Sequence, residues 1–186
     1  MQIPNAYYLI VDVEATCSDD GAVPRQEMEI IEIGAVMQNA RTFEVESEFQ
    51  TLVRPIRHPQ LTEFCTALTG IAQKDVVNAS GFPEATAAMK EWACAYDDWY
   101  FSSWGDYDRK QFVQDCSYHR IAYPFRPGHK NLKAEFTIAM QLSKKWGIED
   151  ALAQLGLEFE GSHHRGLDDA RNIARIVRVV CLAQRG

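Results

Sequence analysis

Three acidic groupings lie far apart in the chain. Asp12 and Glu14 stand two residues apart, Asp106 and Asp108 likewise, and Asp168 and Asp169 follow His163 and His164 after a short gap. Carboxylates are hard oxygen donors that suit Mg²⁺ or Mn²⁺ better than zinc. Imidazole is the side chain whose proton equilibrium lies nearest neutral pH. Gathered at one point, such groups would hold divalent cations beside a proton acceptor. Each grouping also has a plainer explanation when read alone. Asp12 and Glu14 would be solvated if their strand stopped at Ile10. Asp106 or Asp108 would simply cap a helix. Asp168 and Asp169 would complement a helix dipole, and a histidine in a loop is usually exposed.

The elements that must position these groups can be read from the pattern. Tyr7–Val13 (YYLIVDV) is rich in β-branched and aromatic residues and reads as a buried first strand. Period two then puts Asp12 and Glu14 on one face. Glu29–Gln38 and Glu44–Val53 read as two further strands, making an antiparallel start joined around Asn39–Thr42. Leu61–Leu68 has helical spacing and stops at Thr69-Gly70. Pro83–Tyr96 reads as a helix with proline in its first turn, Trp99–Trp104 as a strand and Tyr107–Tyr118 as a helix. Asn131–Lys133 reads as a short strand before a helix over Ala134–Lys145. Ile148–Leu155 is a short helix and Leu167–Leu182 a long one. The loop Tyr123–His129 is the expected place for a mobile or substrate-facing element. Asp108 lies four residues before Phe112, an apolar position that fixes the helix face, which makes Asp108 the better ligand candidate and Asp106 the cap. Every carboxylate falls where a strand ends or a helix begins, and one sheet can bring such ends together. Strands first, then alternating helices and strands, imply an α/β fold: a mixed sheet covered by helices.

The bulk properties narrow the class. The 186 residues, 46% apolar and 24% charged, suit one domain over residues 1–186 with a substantial core. No apolar run approaches the ~18 residues of a membrane helix, so no membrane partner is expected. The N-terminus has neither a basic region nor a long apolar stretch of the secretory type. Five scattered cysteines without a C-x-x-C pair read as reduced thiols in a cytoplasmic protein. A net charge of −7 argues against coating nucleic acid through a broad basic surface. A zinc site at Cys116 and His119 would lack a partner pair at the right spacing.

The three groupings carry a family resemblance. Asp12-Val13-Glu14, Asp108 and His164 with Asp169 resemble the three motifs of the DEDDh 3′→5′ exonuclease superfamily, which includes RNase T and the proofreading subunit of DNA polymerase III. Asp12–Cys17 (DVEATC), Met28–Ile33 (MEIIEI), Glu63–Ile71 (EFCTALTGI) and His164–Ala174 (HRGLDDARNIA) are similar to the histone-mRNA 3′-exonuclease and enhanced-RNAi branch and its bacterial sporulation-inhibitor-like relatives. The similarity runs over residues 6–183. It implies a ribonuclease-H-like fold and a two-metal hydrolysis of the terminal phosphodiester, using two Mg²⁺ or Mn²⁺ ions and releasing nucleoside 5′-monophosphates. The implied metal ligands are Asp12, Glu14, Asp108 and Asp169, with His164 as general base by its His-x₄-Asp spacing. Ala15, Thr16, Phe64 and Leu68 are the implied contacts to the terminal nucleotide, although Phe64 also reads as ordinary helix packing. Trp104 reads as core or site wall, and Lys130, Lys133 and Arg165 as candidate phosphate contacts. The implied partners are single-stranded RNA or DNA 3′ ends, RNA ahead of DNA, with monomer and homodimer both open. A non-catalytic nucleic-acid-binding or regulatory module on the same fold is the alternative. The intact five-residue set speaks against it, because pure binding needs no general base.

Overall fold

A computed structural model of the chain describes residues 1–185. Its central strand is β1 (Tyr7–Ala15), flanked by β2 (Ile30–Asn39) on one side and β4 (Trp99–Ser103) on the other. β3 (Val45–Leu52) lies outside β2, and β5 (Lys130–Asn131) outside β4, giving the order β3-β2-β1-β4-β5. The first three strands pair antiparallel, whereas β1 with β4 and β4 with β5 are parallel. Among the described residues seven helices follow β3, interleaved with β4 and β5: α1 (Glu63–Thr69), α2 (Gln73–Val76) and α3 (Phe82–Ala93) before β4, α4 (Tyr107–His119) between β4 and β5, and α5 (Leu132–Ala139), α6 (Ile148–Gln154) and α7 (Gly166–Ala183) after β5. The architecture is the mixed, helix-covered sheet that the sequence pattern implies.

Alternation along β1 divides the core into two layers. Tyr8 and Ile10 pack with Val36 against Ile173, Ile176 and Val177 of α7. Leu9, Val11 and Val13 face the opposite way, toward Phe82 and Met89 of α3 and Phe112 of α4. Asp12 and Glu14 continue the Tyr8–Ile10 face, the one that α7 covers. β4 reaches only as far as Ser102 opposite Ile10, so the last residues of β1 project beyond it. That step leaves room for the start of α4.

α7 approaches the sheet backbone to backbone. A Cβ added to Gly34 of β2 would fall 2.0 Å from the carbonyl carbon of Gly166, and one added to Gly166 would fall 2.9 Å from the Asp12 carbonyl oxygen. Only glycine at both positions permits this seat.

Several element ends differ from the pattern-based expectation. β1 extends to Ala15 because β2 continues to pair with it, Glu14 opposite Glu32 and Ala15 opposite Ile30. The helix expected over Ala134–Lys145 begins at Leu132 and ends at Ala139. There Gln141 turns to φ 54°, its N–H donates to the Ile138 carbonyl, and the Leu142 N–H closes on Thr137. That is a Schellman-type stop made without glycine, hence without its usual mark in the sequence. Two short elements, the 3-10 turn Arg25–Glu27 and α2, also lack an advance signal. The Tyr123–His129 loop is anchored at its middle, where Phe125 stacks on Phe101 at 3.8 Å between ring centroids and is 7% exposed.

Gly34→Ala is expected to cost roughly 3 kcal/mol of stability, since the new methyl meets backbone that cannot rotate away. The shift of the urea unfolding midpoint measures it, and an unchanged midpoint would contradict the backbone seat.

Candidate active site

The alternation of β1, the seat of α7 and the start of α4 bring the acidic groupings together. One carboxylate oxygen from each of Asp12, Glu14 and Asp169 lies within 4.8 Å of the others. Asp169 comes from the first turn of α7, which the glycine contact fixes over β1. Asp108, in the first turn of α4, is 3% exposed and accepts a 3.2 Å hydrogen bond from the Val13 N–H on the stretch of β1 that projects past β4. Asp106 is the helix N-cap residue, makes no side-chain cap bond, and instead accepts from the Asn131 amide at 3.1 Å.

Crowding and burial act on these acids in the same direction. Burial, then the charges of Asp108, Asp169, Glu14 and Glu32, hold the Asp12 carboxyl well above the ordinary aspartate range. Burial followed by Asp169, Glu32 and Asp108 pushes Glu14 up to about 8. Asp108 rises to about 6 through burial, opposed by backbone hydrogen bonds including that from Val13. Asp169 is raised by burial, opposed by its contact with His163. Protons or cations must neutralise part of this set, and oxygen-only donors on one partly open wall fit hard divalent ions. Among the described residues no other group of three or more such side chains stands close enough to hold a metal. Cys116 and His119 have no further ligand near them, and the five cysteines are free thiols.

Two imidazoles border the cluster. His163 Nδ1 lies 2.8 Å from Asp169 Oδ1. His164 packs against the His163 ring at 4.0 Å between centroids, and both line the cavity with Asp12, Glu14, Trp104, Tyr107 and Lys133. His164 takes φ 63°, a left-handed conformation that costs a non-glycine residue ~1 kcal/mol. Burial and the neighbouring His163 hold the His164 pKa below its ordinary value, which keeps the ring neutral and able to accept a proton. The spacing argument singles out His164 and passes over His163; its only advance signal is the doubled histidine.

Glu32 lies in the segment Met28–Ile33, but the sequence gives no hint of its role. This carboxylate is fully buried, directly across from Glu14. It accepts from Arg165 Nε at 3.1 Å, Arg165 Nη2 at 2.9 Å, and the Gly166 N–H at 3.0 Å. Arg165, a candidate phosphate contact by sequence, is therefore committed to Glu32. Lys130 is likewise paired, with Glu135 at 3.0 Å. Lys133 lines the cavity and makes no ion pair among the described residues. Trp104 is both wall and core: it lines the cavity, donates its indole N–H to the Trp146 carbonyl and packs on Phe136. Ala15 and Thr16 are buried, and the Thr16 hydroxyl accepts from the Glu29 N–H. Phe64 and Leu68 sit one turn apart on α1, each 38% exposed. α1 is held beside the end of β1 by the Cys65 thiol, 3.7 Å from the Ala15 carbonyl.

A mixed sheet of this order, with carboxylates at the end of its central strand, defines a ribonuclease-H-like domain of the DEDDh exonuclease type. The nuclease domain of 3′hExo, described as a DEDDh family member and solved with rAMP, superposes with a TM-score of 0.88 at 33% identity, over 100% of this chain and 96% of that one. A 3′-exonuclease solved in recognition of the 3′ end of a histone mRNA stem-loop gives 0.89 at 32% identity, over 100% of this chain and 66% of that one. Residues 9–177 match the model of the exonuclease family RNase_T, and the chain belongs to that family. Its curated relatives include ERI1 exoribonuclease 3 of Homo sapiens, 36% identical over 97% of this chain and 54% of that protein. Another is 3′-5′ exoribonuclease 1 of Homo sapiens, 34% identical over 91% of this chain and 51% of that protein. The chain thus spans about half the length of these relatives.

A carboxyl that holds its proton more tightly when folded stabilises the fold at low pH, and that contribution is lost as pH rises toward the folded value. For Glu14 the window runs from its ordinary 4.5 to about 8. Metal-free protein is therefore expected to lose melting temperature across that window, with Mn²⁺ restoring it at the upper end and Glu14→Gln flattening the slope. Calorimetric scans with and without Mn²⁺ test this; a metal-free protein that grows more stable from pH 5 to about 8 contradicts the shared-charge account.

Proposed function

We propose that this chain is a single exonuclease domain, residues 1–186 with its core over 6–183, that hydrolyses the 3′-terminal phosphodiester of single-stranded nucleic acid, RNA ahead of DNA. It releases nucleoside 5′-monophosphates. The observation that carries the reading is the convergence of Asp12, Glu14 and Asp169, with Asp108 alongside, next to a neutral imidazole. Membership of the exonuclease family supports it. The RNA preference draws on relatives described as exoribonucleases and on the rAMP-bound nuclease domain. Free thiols fit a cytoplasmic setting, and among the described residues no helix is long and apolar enough to cross a membrane.

Asp12, Glu14, Asp108 and Asp169 would hold two divalent ions, Mg²⁺ or Mn²⁺. When bound, such ions orient the scissile phosphate and offset the charge that builds on its attacking and leaving oxygens. The protein groups have separate tasks. His164 takes the proton of the attacking water, a role that requires the neutral ring its surroundings favour. The water oxygen bonds to phosphorus, the bond to the 3′ oxygen of the preceding nucleotide breaks, and that oxygen leaves to be protonated from solvent. His163 steadies Asp169 through its 2.8 Å contact. Lys133, which lines the same cavity, would face the phosphate. Phe64 and Leu68 offer an apolar platform for the terminal bases beside the end of β1, with Ala15 and Thr16 forming its buried support.

The test is release of labelled mononucleotide from single-stranded RNA in Mn²⁺. Wild type is expected to release it and Asp12→Ala to release none; equal, negligible release by both would sink the enzyme reading in favour of a binding module. His164→Ala is expected to keep its affinity for Mn²⁺ by calorimetry while turnover falls ~10²- to 10⁴-fold. Asp108→Asn is expected to damage turnover far more than Asp106→Asn, and the reverse order would reassign the second motif.

A further inference from the structure

Tyr107 is a shared wall. One cavity that it lines holds Asp12, Glu14, His164 and Asp169. A second, on its other side, is a groove lined by Arg25, Gln26, Tyr107, Lys110, Gln111 and Gln114. The groove is built as well as open. The Gln111 and Gln114 side-chain amides both donate to the Met28 carbonyl, at 2.8 and 2.7 Å, and Gln114 donates also to the Arg25 carbonyl at 3.3 Å. These bonds pin the turn Arg25–Glu27 to α4, which fixes where Arg25 stands. Its guanidinium carbon lies 5.9 Å from the centre of the Tyr107 ring.

The groove carries positive charge on an acidic molecule. The chain has a net charge of −7, and among the described residues six of its twelve arginines, Arg57, Arg109, Arg165, Arg171, Arg175 and Arg178, meet carboxylates. Arg25 and Lys110 are exposed, and neither makes an ion pair among the described residues. The opposite flank differs. A cavity there is lined by Gln50, Thr51, Asp75, Asn78, Ser80 and Arg165, and its one cation is the arginine already spent on Glu32. Two uncommitted cations therefore line this flank, where the flank beside Arg165 offers none.

Resting on the exonuclease reading above, we propose that the Arg25–Lys110 groove is a second binding site, one that holds the phosphates of the single strand upstream of the 3′-terminal nucleotide. A polyanion whose end lies among the carboxylates must leave over one flank, and this one offers charge of the required sign, an aromatic edge and continuity through Tyr107. Sequence independence follows, because a phosphate contact positions a strand without reading its bases. Such a groove would let a chain this acidic grip the backbone locally rather than through a broad basic face.

The experiment compares wild type with Arg25→Ala/Lys110→Ala, and with a charge-matched control, Arg41→Ala/Lys90→Ala. Arg41 lies in the turn between β2 and β3 and Lys90 near the C-terminal end of α3, away from the carboxylate end of β1. Binding of a 5′-fluorescein oligouridylate in Ca²⁺ is followed by anisotropy across a salt series, and mononucleotide release in Mn²⁺ is measured on the same oligomer and on diuridylate. Losing two phosphate contacts should lower the slope of log affinity against log salt by about 1.4, at ~0.7 per phosphate on a single strand. KM for the oligomer should rise, and the ratio of oligomer to diuridylate turnover at low concentration should fall, with the control variant matching wild type. An unchanged slope and ratio in the groove variant would overturn the proposal. If wild type released no mononucleotide, the exonuclease reading would fall by itself, and the anisotropy slopes would still decide whether the groove binds the strand.

Discussion

Asp12, Glu14, Asp108 and Asp169 repel one another in surroundings where burial already disfavours charge, so nothing in their own interactions holds them together. The scaffold must do it. Backbone contact between Gly166 and Gly34 fixes the first turn of α7 on the sheet, and Asp169 has little freedom to retreat. Asp108 is held from the other side by the Val13 N–H, which the shortness of β4 leaves without a strand partner. The seat of α7 is main chain against main chain and does not depend on the charge state of the acids, whereas the Val13 N–H favours the charged form of the Asp108 carboxylate it binds. A site of this kind is less stable empty and alkaline than when protonated or loaded with cations.

The contrast between Glu14 and Glu32 shows how the same residue type is put to opposite uses. They face each other across β1 and β2 and are similarly buried. Glu32 has a two-pronged arginine, the Gly166 N–H and the Gln50 amide, so its charge is matched where it stands. A fork of this kind satisfies both carboxylate oxygens at once. Glu14 has no such partner and is pushed up to about 8. Removing one member of a buried ion pair costs far more than the pair contributes, so the Glu32–Arg165 link ties the histidine-bearing loop to β2 whatever occupies the neighbouring site. The unmatched carboxylate is the one free to take a cation.

Much of this was legible in the sequence, for identifiable reasons. Period-two alternation in YYLIVDV places Asp12 and Glu14 on a common face, and a helix that opens at Gly166 carries Asp169 in its first turn. Phe112, fully buried, fixes the face of α4 and thereby separates Asp108 from Asp106. What escaped depends on pairing between distant segments. The Glu14–Glu32 opposition is a matter of strand register, which local pattern does not encode. Once that register exists, Arg165 has a buried partner and ceases to be available to phosphate. The contact of His163 with Asp169 depends on the left-handed turn at His164, a conformation without a reliable residue signature outside glycine and asparagine. The early end of α5 at Ala139, set by the left-handed Gln141 beyond it, escaped for the same reason.

Under the exonuclease reading an acidic chain would act on a polyanion, which is self-defeating only if charge is summed over the whole surface. Exposed charges interact over about 8 Å at physiological ionic strength, so a strand senses what lies within a few residues of its path. Under the two-ion reading, four carboxylates bearing −4 would face ions bearing +4, and the overall −7 would become −3. The strongest change would fall at the one point where the terminal phosphate must sit. Under the same reading, the remaining acids would repel internal stretches of nucleic acid that settle away from the site. The terminal phosphate would be drawn to the carboxylate site and the upstream strand to the Arg25–Lys110 groove, and neither step needs a contact that reads sequence.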